Sequence, residues 1–99
     1  MMTENEFLDL AAEMLKKNER RLRKRTRNDG KFTLADIFDR HTWKNIPTAE
    51  HSQLGIWFSA AVSKGYFPQI LDAHQQNIHW HNLYKLRPLE QNKEGEQQQ

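Results

Sequence analysis

The sequence predicts an α+β fold, in which three helices are followed by a two-stranded β-hairpin in a winged helix-turn-helix-like order. Apolar residues recur at helical spacing as far as Gly65, and beyond it their period changes to two. The chain has 99 residues and is 36% hydrophobic, with a mean hydropathy of −0.98, which suits one small core and a solvated tail. We expect a basic N-terminal helix over 1–31, a winged-helix-like core over 32–87 and a disordered polar tail over 88–99.

The first predicted helix begins at a capping-box pattern, Thr3 to Glu6. Its apolar face is formed by Phe7, Leu8, Ala11, Leu15 and Leu22. Acidic residues come early and basic residues late, as the helix dipole favours. The turn-forming run Asn28-Asp29-Gly30 predicts its end.

Two further helices are predicted before Gly65. Thr33 and Asp36 form a second cap, and Leu34, Ile37 and Phe38 supply the buried face of that helix. Trp43 and Ile46 are expected to continue this packing through a short turn or an irregular second segment. Pro47 breaks the chain, and Thr48 is expected to cap the third helix, whose apolar residues are Leu54, Trp57, Phe58, Ala61 and Val62. Gly55, inside that helix, suggests close approach of another backbone or ligand.

The predicted hairpin follows Gly65. Its first strand runs over Tyr66 to Ala73, with Pro68 favouring an edge position, and its second over Ile78 to Leu86. The connection is residues 74–77. The period of two places four apolar side chains of the second strand on one face: Ile78, Trp80, Tyr84 and Leu86.

Positive charge is concentrated in residues 16–31, which carry nine Lys or Arg and two acidic residues, a net +7 in a chain whose total is +2. Clustered cations attract phosphates, and each neutralised phosphate releases counterions. The alternative interpretation is a solvated helix end. The predicted phosphate contacts are Lys16, Lys17, Arg20, Arg21, Arg23, Lys24, Arg25, Arg27 and Lys31.

Helices followed by a hairpin is the order of a winged helix-turn-helix, in which the helix before the hairpin enters the major groove of DNA. Polar residues of the third helix are then the candidates for reading bases: Ser52, Gln53, Ser59, Ser63 and Lys64. Asn77 and His79 of the wing are candidates for contacts with phosphate or the minor groove. The expected partner is double-stranded DNA, and the expected role is transcriptional or mobile-element regulation.

The segments "FTLADIF" and "LGIWFSAAVSKG", with a Trp between them and a later Tyr, resemble a small uncharacterised domain family of bacteria and their mobile elements. The residues that carry the resemblance are Phe32, Thr33, Leu34, Asp36, Phe38, Trp43, Leu54, Gly55, Phe58, Val62, Gly65 and Tyr84. Most of them are cap, stop or core positions, so the resemblance implies a fold rather than an activity. The family often has a basic residue after the Leu-Gly pair, where this chain has Ile56.

Several function classes find no support in the sequence. The chain has no cysteine, so disulfides, thiolate metal sites and thiol nucleophiles are excluded. His79 and His81 can share one side of a strand, but two ligands do not make a metal site. We find no phosphate-binding glycine loop, nucleophile elbow or catalytic carboxylate pair, and we expect a non-enzyme without cofactors or metal. No apolar run is long enough for a membrane span, and we expect a cytoplasmic protein.

A second interpretation stays open at this point. The chain could instead be a small protein-protein adaptor or phage-type inhibitor, presenting its basic helix to an acidic surface or its aromatic face to a hydrophobic groove. Homodimerisation through Phe7, Leu8, Ala11 and Leu15 of the first helix also stays open.

Overall fold

The computed structural model describes residues 1–88, and it has helices first and a hairpin last. The helices are α1 (Glu4–Arg23), α2 (Leu34–Ile37), α3 (Arg40–Lys44) and α4 (Thr48–Ser63), with one 3-10 turn (Arg27–Gly30). The antiparallel strands are β1 (Ile70–Gln76) and β2 (Asn82–Leu86). The predicted α+β arrangement is confirmed. Apart from Pro88, the predicted polar tail lies outside the described residues.

Two of the three predicted capping interactions are present. The Glu6 N–H donates to Thr3 Oγ1 at 3.1 Å, and the Thr3 N–H donates to Glu6 Oε1 at 2.8 Å, so α1 begins with a complete capping box. At the start of α2 the Asp36 carboxylate accepts hydrogen bonds from the Thr33 N–H at 2.8 Å and the Thr33 hydroxyl at 3.1 Å. These local bonds satisfy backbone groups that a helix terminus leaves unpaired.

The prediction of three helices is wrong, because residues 40–44 form a separate short helix. Phe38 and Asp39 adopt extended backbone angles, which end α2 and allow α3 to start in a new direction. The Thr48 cap is also wrong: Pro47 is the residue that precedes α4, and Thr48 is the first helical residue. Apart from its two chain neighbours and the backbone of its own helix, no atom of residues 1–88 lies within 4 Å of the position that a Cβ of Gly55 would occupy, so the described part of the chain does not make the predicted close approach.

The first strand begins four residues later than predicted because Tyr66 belongs to the end of α4. Gly65 has a φ of +80°, its N–H donates to the Val62 carbonyl, and the Tyr66 N–H donates to the Ala61 carbonyl. This pair of bonds is a Schellman motif, which terminates a helix.

The second strand also begins four residues late, because Asn77 organises the residues before it into a turn. Its side-chain oxygen accepts from the His79 N–H at 2.8 Å and the His81 N–H at 3.0 Å. The Asn77 N–H in turn donates to the His81 carbonyl at 3.0 Å. Ile78 and Trp80 therefore lie in the turn and are exposed, and the prediction that they share a strand face with Tyr84 is wrong.

The hairpin gains a third partner from the segment before α2. Ile70 lies opposite Leu86 and Asp72 opposite Tyr84, with an irregularity before Gln76 pairs with Asn82. On the other edge of β2, Phe32 forms an isolated bridge with Tyr84, with N···O distances of 2.8 and 2.7 Å. Strand β2 therefore lies between β1 and the bridging residue.

One hydrophobic core joins all of these elements. Its most completely buried large side chains are Phe7, Leu15, Phe32, Ile37, Leu54, Phe58 and Tyr84. The Phe58 ring meets the Tyr84 ring edge-on at 5.0 Å between centroids, which is a favourable aromatic geometry. The four α1 residues considered for dimerisation are all buried in this core, so they are not available as a dimer seam. Within residues 1–88, no helix combines the length and apolarity needed to cross a membrane.

Asn18 is the one buried polar residue on α1, and it links that helix to the chain after α2. Its Nδ2 donates to the Ile37 carbonyl at 2.8 Å and to Asp39 Oδ1 at 3.2 Å. We expect Asn18→Leu to lower the free energy of unfolding by about 1–3 kcal/mol, because the buried Ile37 carbonyl loses its side-chain donor. Urea unfolding measures this change. Asn5→Leu, at an exposed position of the same helix, is the control, and an equal loss there would contradict the assignment.

Candidate nucleic-acid interface

The nine cations of residues 16–31 fall into two groups in the structure. Four of them bind other groups of the chain through their side chains: Lys17, Arg21, Arg23 and Arg25. The other five form no ion pair or side-chain hydrogen bond within residues 1–88: Lys16, Arg20, Lys24, Arg27 and Lys31. The sequence does not distinguish among these nine residues. In the structure only the second group has all of its side-chain N–H donors available for an external anion.

Three arginines tie the end of α1 to the rest of the domain. Arg21 Nη2 donates to the Asp36 carbonyl at 2.8 Å, and Arg23 Nη1 donates to the Arg87 carbonyl at 2.8 Å. Arg25 Nε donates to the Lys31 carbonyl at 2.8 Å, and its Nη2 lies 3.4 Å from Asp36 Oδ2. A guanidinium can make several such bonds at once because its five N–H donors form a fixed fork. These arginines therefore contribute to folding.

Lys17 belongs to the same structural group. Its Nζ lies 2.6 Å from Asp39 Oδ2, and Asn18 donates to the other oxygen of that carboxylate. The hydrogen bond from Lys17, then that from Asn18, holds the pKa of Asp39 below its usual value.

The pH dependence of stability follows from this shift. Because the pKa of Asp39 is lower in the folded chain, the unfolded chain takes up the proton first, and the stabilisation by the ion pair is complete only above the unfolded pKa of about 3.9. We expect this stabilisation to be lost as the pH falls through about 4 and then through the folded pKa. Thermal unfolding between about pH 6 and 2 measures it, and Asp39→Asn should flatten the acid limb of the curve. An unchanged limb would contradict this.

Lys16 and Arg20 of α1, with Lys24 just beyond its last residue, lie on one side of the helix axis, which we call the cationic face. At 100° per residue they occupy the side opposite the buried residues, and all three are exposed. With a rise of 1.5 Å per residue, the face extends about 12 Å. Asp9 and Glu13 occupy the same side nearer the N-terminus, so the positive surface is confined to the C-terminal half of the helix.

A second surface feature is an open groove of about 630 Å³, which we call the α4 groove. It is bounded by Ser52, Gly55, Ile56, Ser59 and Ala60 of α4, by residues 33–35 at the start of α2, and by residues 80–82 of the hairpin. No Asp, Glu, Lys or Arg of residues 1–88 lines it. Its titratable groups are His51, His81 and Tyr84, and burial raises the pKa of the Tyr84 hydroxyl.

The cationic face and the α4 groove are formed by different elements of the fold. α1 meets α4 through Phe7 and Trp57, whose ring centroids are 6.2 Å apart. At 100° per residue, Gly55 and Ser59 lie on the flank of the α4 buried stripe away from Trp57, and they line the groove. The cationic face shares no residue with the groove lining.

The predicted base-reading residues are dispersed. Ser52 and Ser59 line the α4 groove, Gln53 is half-buried, and Ser63 and Lys64 are exposed at the end of the helix. The helix itself contains no Lys or Arg, because Lys64 lies just beyond its last residue. In the wing, the Asn77 side-chain oxygen is occupied by turn hydrogen bonds, whereas His79 is exposed.

Two exposed apolar residues stand out in the structure: Ile56, for which the sequence suggested an apolar contact with a thymine methyl or a protein partner, and Trp80, for which it suggested no contact. Ile56 is 63% exposed and Trp80 is 80% exposed, and both line the α4 groove. Ile56 falls on the polar side of the helical pattern, which was the available signal. Trp80 was assigned to a strand face because its alternation with Ile78 and Tyr84 mimics a strand, although Asn77 is a residue that favours turns.

The histidines do not gather into a cluster. The rings of His79 and His81 are 6.2 Å apart between centroids, while His51 stacks on Trp43 at 4.2 Å and contacts the Ile46 carbonyl. Within residues 1–88 there is no group of three or more His, Asp or Glu placed to hold a metal ion.

Comparison with known proteins adds no relatives to this description. No family model matches the chain, and neither the curated proteins nor the solved structures gave a significant match. The resemblance to the bacterial domain family therefore stays a prediction.

Proposed function

We propose that this chain binds double-stranded DNA through the cationic face of α1, by contacts with the phosphate backbone. The observation that carries the proposal is the separation of the cations. Four of them bind other groups of the chain, whereas Lys16, Arg20 and Lys24 are exposed together on one side of the helix. A helix that needed cations only for its own C-terminal dipole would not require a row about two turns long on the side away from the core.

Electrostatics favours a polyanion as the partner. Arg27 and Lys31 extend the positive charge past the helix end, so up to five cations are available for phosphates. Duplex DNA carries one negative charge per about 1.7 Å of axis, so the roughly 12 Å cationic face meets several phosphates at once. Contacts of this kind position a protein on DNA but carry no sequence information.

The topology supports a winged helix-turn-helix as the fold type. In chain order there is a helix, the bridging residue Phe32, two short helices, the longer α4 and then the hairpin, with β2 paired on both edges. Such domains commonly insert the helix before the hairpin into the major groove. The exposed side of α4 has no cation, and we therefore propose α1 as the principal DNA contact. Base reading by Ser52, Gln53, Ser59, Ser63 and Lys64, and a regulatory role, stay predictions.

Titration of a labelled random-sequence duplex at a series of salt concentrations tests the proposal. If three to five phosphates are neutralised, the logarithm of the binding constant should fall with the logarithm of the salt concentration with a slope of about −3 to −5. A duplex of different sequence should bind within a few fold of the first. Absence of binding in dilute buffer would refute DNA as the partner.

A further inference from the structure

Trp80 is held out from the domain by the turn that contains it. Its indole is 80% exposed although it is among the most hydrophobic groups in the chain. The hydrogen bonds of Asn77 fix the turn, and Trp80 has a φ of +66°, in the left-handed region that side chains other than Gly and Asn rarely adopt. The protein therefore maintains an unfavourable backbone conformation at the residue whose side chain is most costly to expose to water.

The same face carries a projecting apolar group and a recess that can receive one. Trp80 and Ile78, which is 88% exposed, project from the turn. Beside them the α4 groove offers an open space of about 630 Å³, lined by no Asp, Glu, Lys or Arg of residues 1–88, with Ile56 and Trp80 itself at its edge. A surface that contains both a projection and a complementary recess can bind its own copy about a two-fold axis, because each residue then meets its counterpart site on the other chain.

We propose that this face binds a second copy of the chain, with Trp80 of each copy seated in the α4 groove of the other. Charge favours this arrangement. The chain carries a net charge of +2, and its cations are concentrated on residues 16–31, so two copies repel each other across any contact between those segments. No Asp, Glu, Lys or Arg of residues 1–88 lines the groove. With the histidines neutral, two such faces that meet each other therefore bring no like charges into contact.

The proposed contact is of modest size. Each tryptophan buries about 150–250 Å² when enclosed, and the two together supply a fraction of the roughly 1,200–1,600 Å² typical of specific interfaces. Ile56 and Ile78 of each copy add further apolar area around them. Large aromatic residues at the centre of an interface are the most frequent hot spots, so most of the affinity should depend on Trp80. We expect dissociation in the micromolar range.

Sedimentation equilibrium of the full chain without DNA, from about 1 µM to 1 mM, tests the proposal. The wild type should convert from monomer to dimer over this range. Trp80→Gly should raise the dissociation constant at least about 30-fold. Glycine adopts the left-handed backbone without strain, so this variant is expected to fold at least as well as the wild type, and its circular dichroism and melting curve verify that.

Two comparisons make the result specific. Ile56→Glu places a charge at the edge of the groove and should also keep the chain monomeric. Tyr66→Ala removes an aromatic that is 49% exposed but does not line the groove, and it should dimerise like the wild type. A wild type that stays monomeric at 1 mM would overturn the proposal, as would a Trp80→Gly chain that dimerises unchanged. The proposed dimer is independent of the proposed DNA binding. The sedimentation experiment contains no DNA, so its outcome does not depend on whether the chain binds DNA.

Discussion

Replacing Lys16, Arg20 and Lys24 together by Gln should lower the affinity for duplex DNA on the order of a thousandfold at about 50 mM salt. Each phosphate contact contributes a factor of about 15 at this salt concentration, extrapolated from a 1 M reference, and three contacts are removed. The log–log slope against salt should become less negative by about 2.7. Because the three side chains are exposed and make no ion pair within residues 1–88, the melting temperature should stay nearly unchanged.

The matched control removes the same charge from the three arginines whose side chains bind other groups of the chain. Arg21→Gln, Arg23→Gln and Arg25→Gln together also subtract three positive charges, but they delete the bonds to Asp36, Lys31 and Arg87. The free energy of unfolding of this variant should fall by at most about 1.5–3 kcal/mol for each charged hydrogen bond that is deleted. While it is folded, it should lose less DNA affinity than the triple variant of the cationic face. Equal losses of affinity in the two triple variants would show that total charge, and not the cationic face, determines binding.

The second large effect is expected in the core. Tyr84→Ala should lower the free energy of unfolding by about 3–5 kcal/mol, because a large buried ring is removed and a cavity remains. Tyr84 is 2% exposed, and its ring packs edge-on against Phe58 of α4, while its backbone pairs with Phe32 before α2. The substitution removes the ring contact and leaves the backbone pairing in place. Thermal unfolding should shift downward by about 4–8 °C for each kcal/mol lost.

Tyr84→Phe separates packing from the hydroxyl group. This variant keeps the ring and removes an oxygen in the α4 groove, near Asn82 and Ser59. It should lose far less stability than Tyr84→Ala, about 1 kcal/mol or less. If Tyr84→Phe were as unstable as Tyr84→Ala, the hydroxyl and not the ring would be the stabilising group.

Local features of the fold could be predicted because they depend on neighbours in the chain. The boxes at Thr3 and Thr33 each join residues three positions apart, and the glycine stop at Gly65 needs only the last turn of α4. Hairpin boundaries could not be predicted in this way. Alternation of apolar residues is compatible with a strand or with an exposed turn, and the bonds of Asn77 decided between them.

The candidate site, too, could be predicted from the sequence only in part. Sequence located the cations on one helix, since charge and helical spacing can be counted. It could not tell Arg21 from Arg20, because the backbone carbonyls that accept from Arg21, Arg23 and Arg25 lie between 6 and 64 residues away along the chain. Trp80 was misassigned for a related reason: whether an apolar side chain is buried depends on which surfaces other elements have already covered.

The amino-acid sequence alone determined an α+β chain with capped helices, a terminal hairpin and one strongly basic segment, because composition, period and caps act over a few residues. Tertiary structure decided which cations remain available to a partner, and which apolar residues stay in water. Both outcomes depend on carbonyls, carboxylates and rings that folding brings together from distant positions, and pairing of that kind leaves no periodic trace in the sequence.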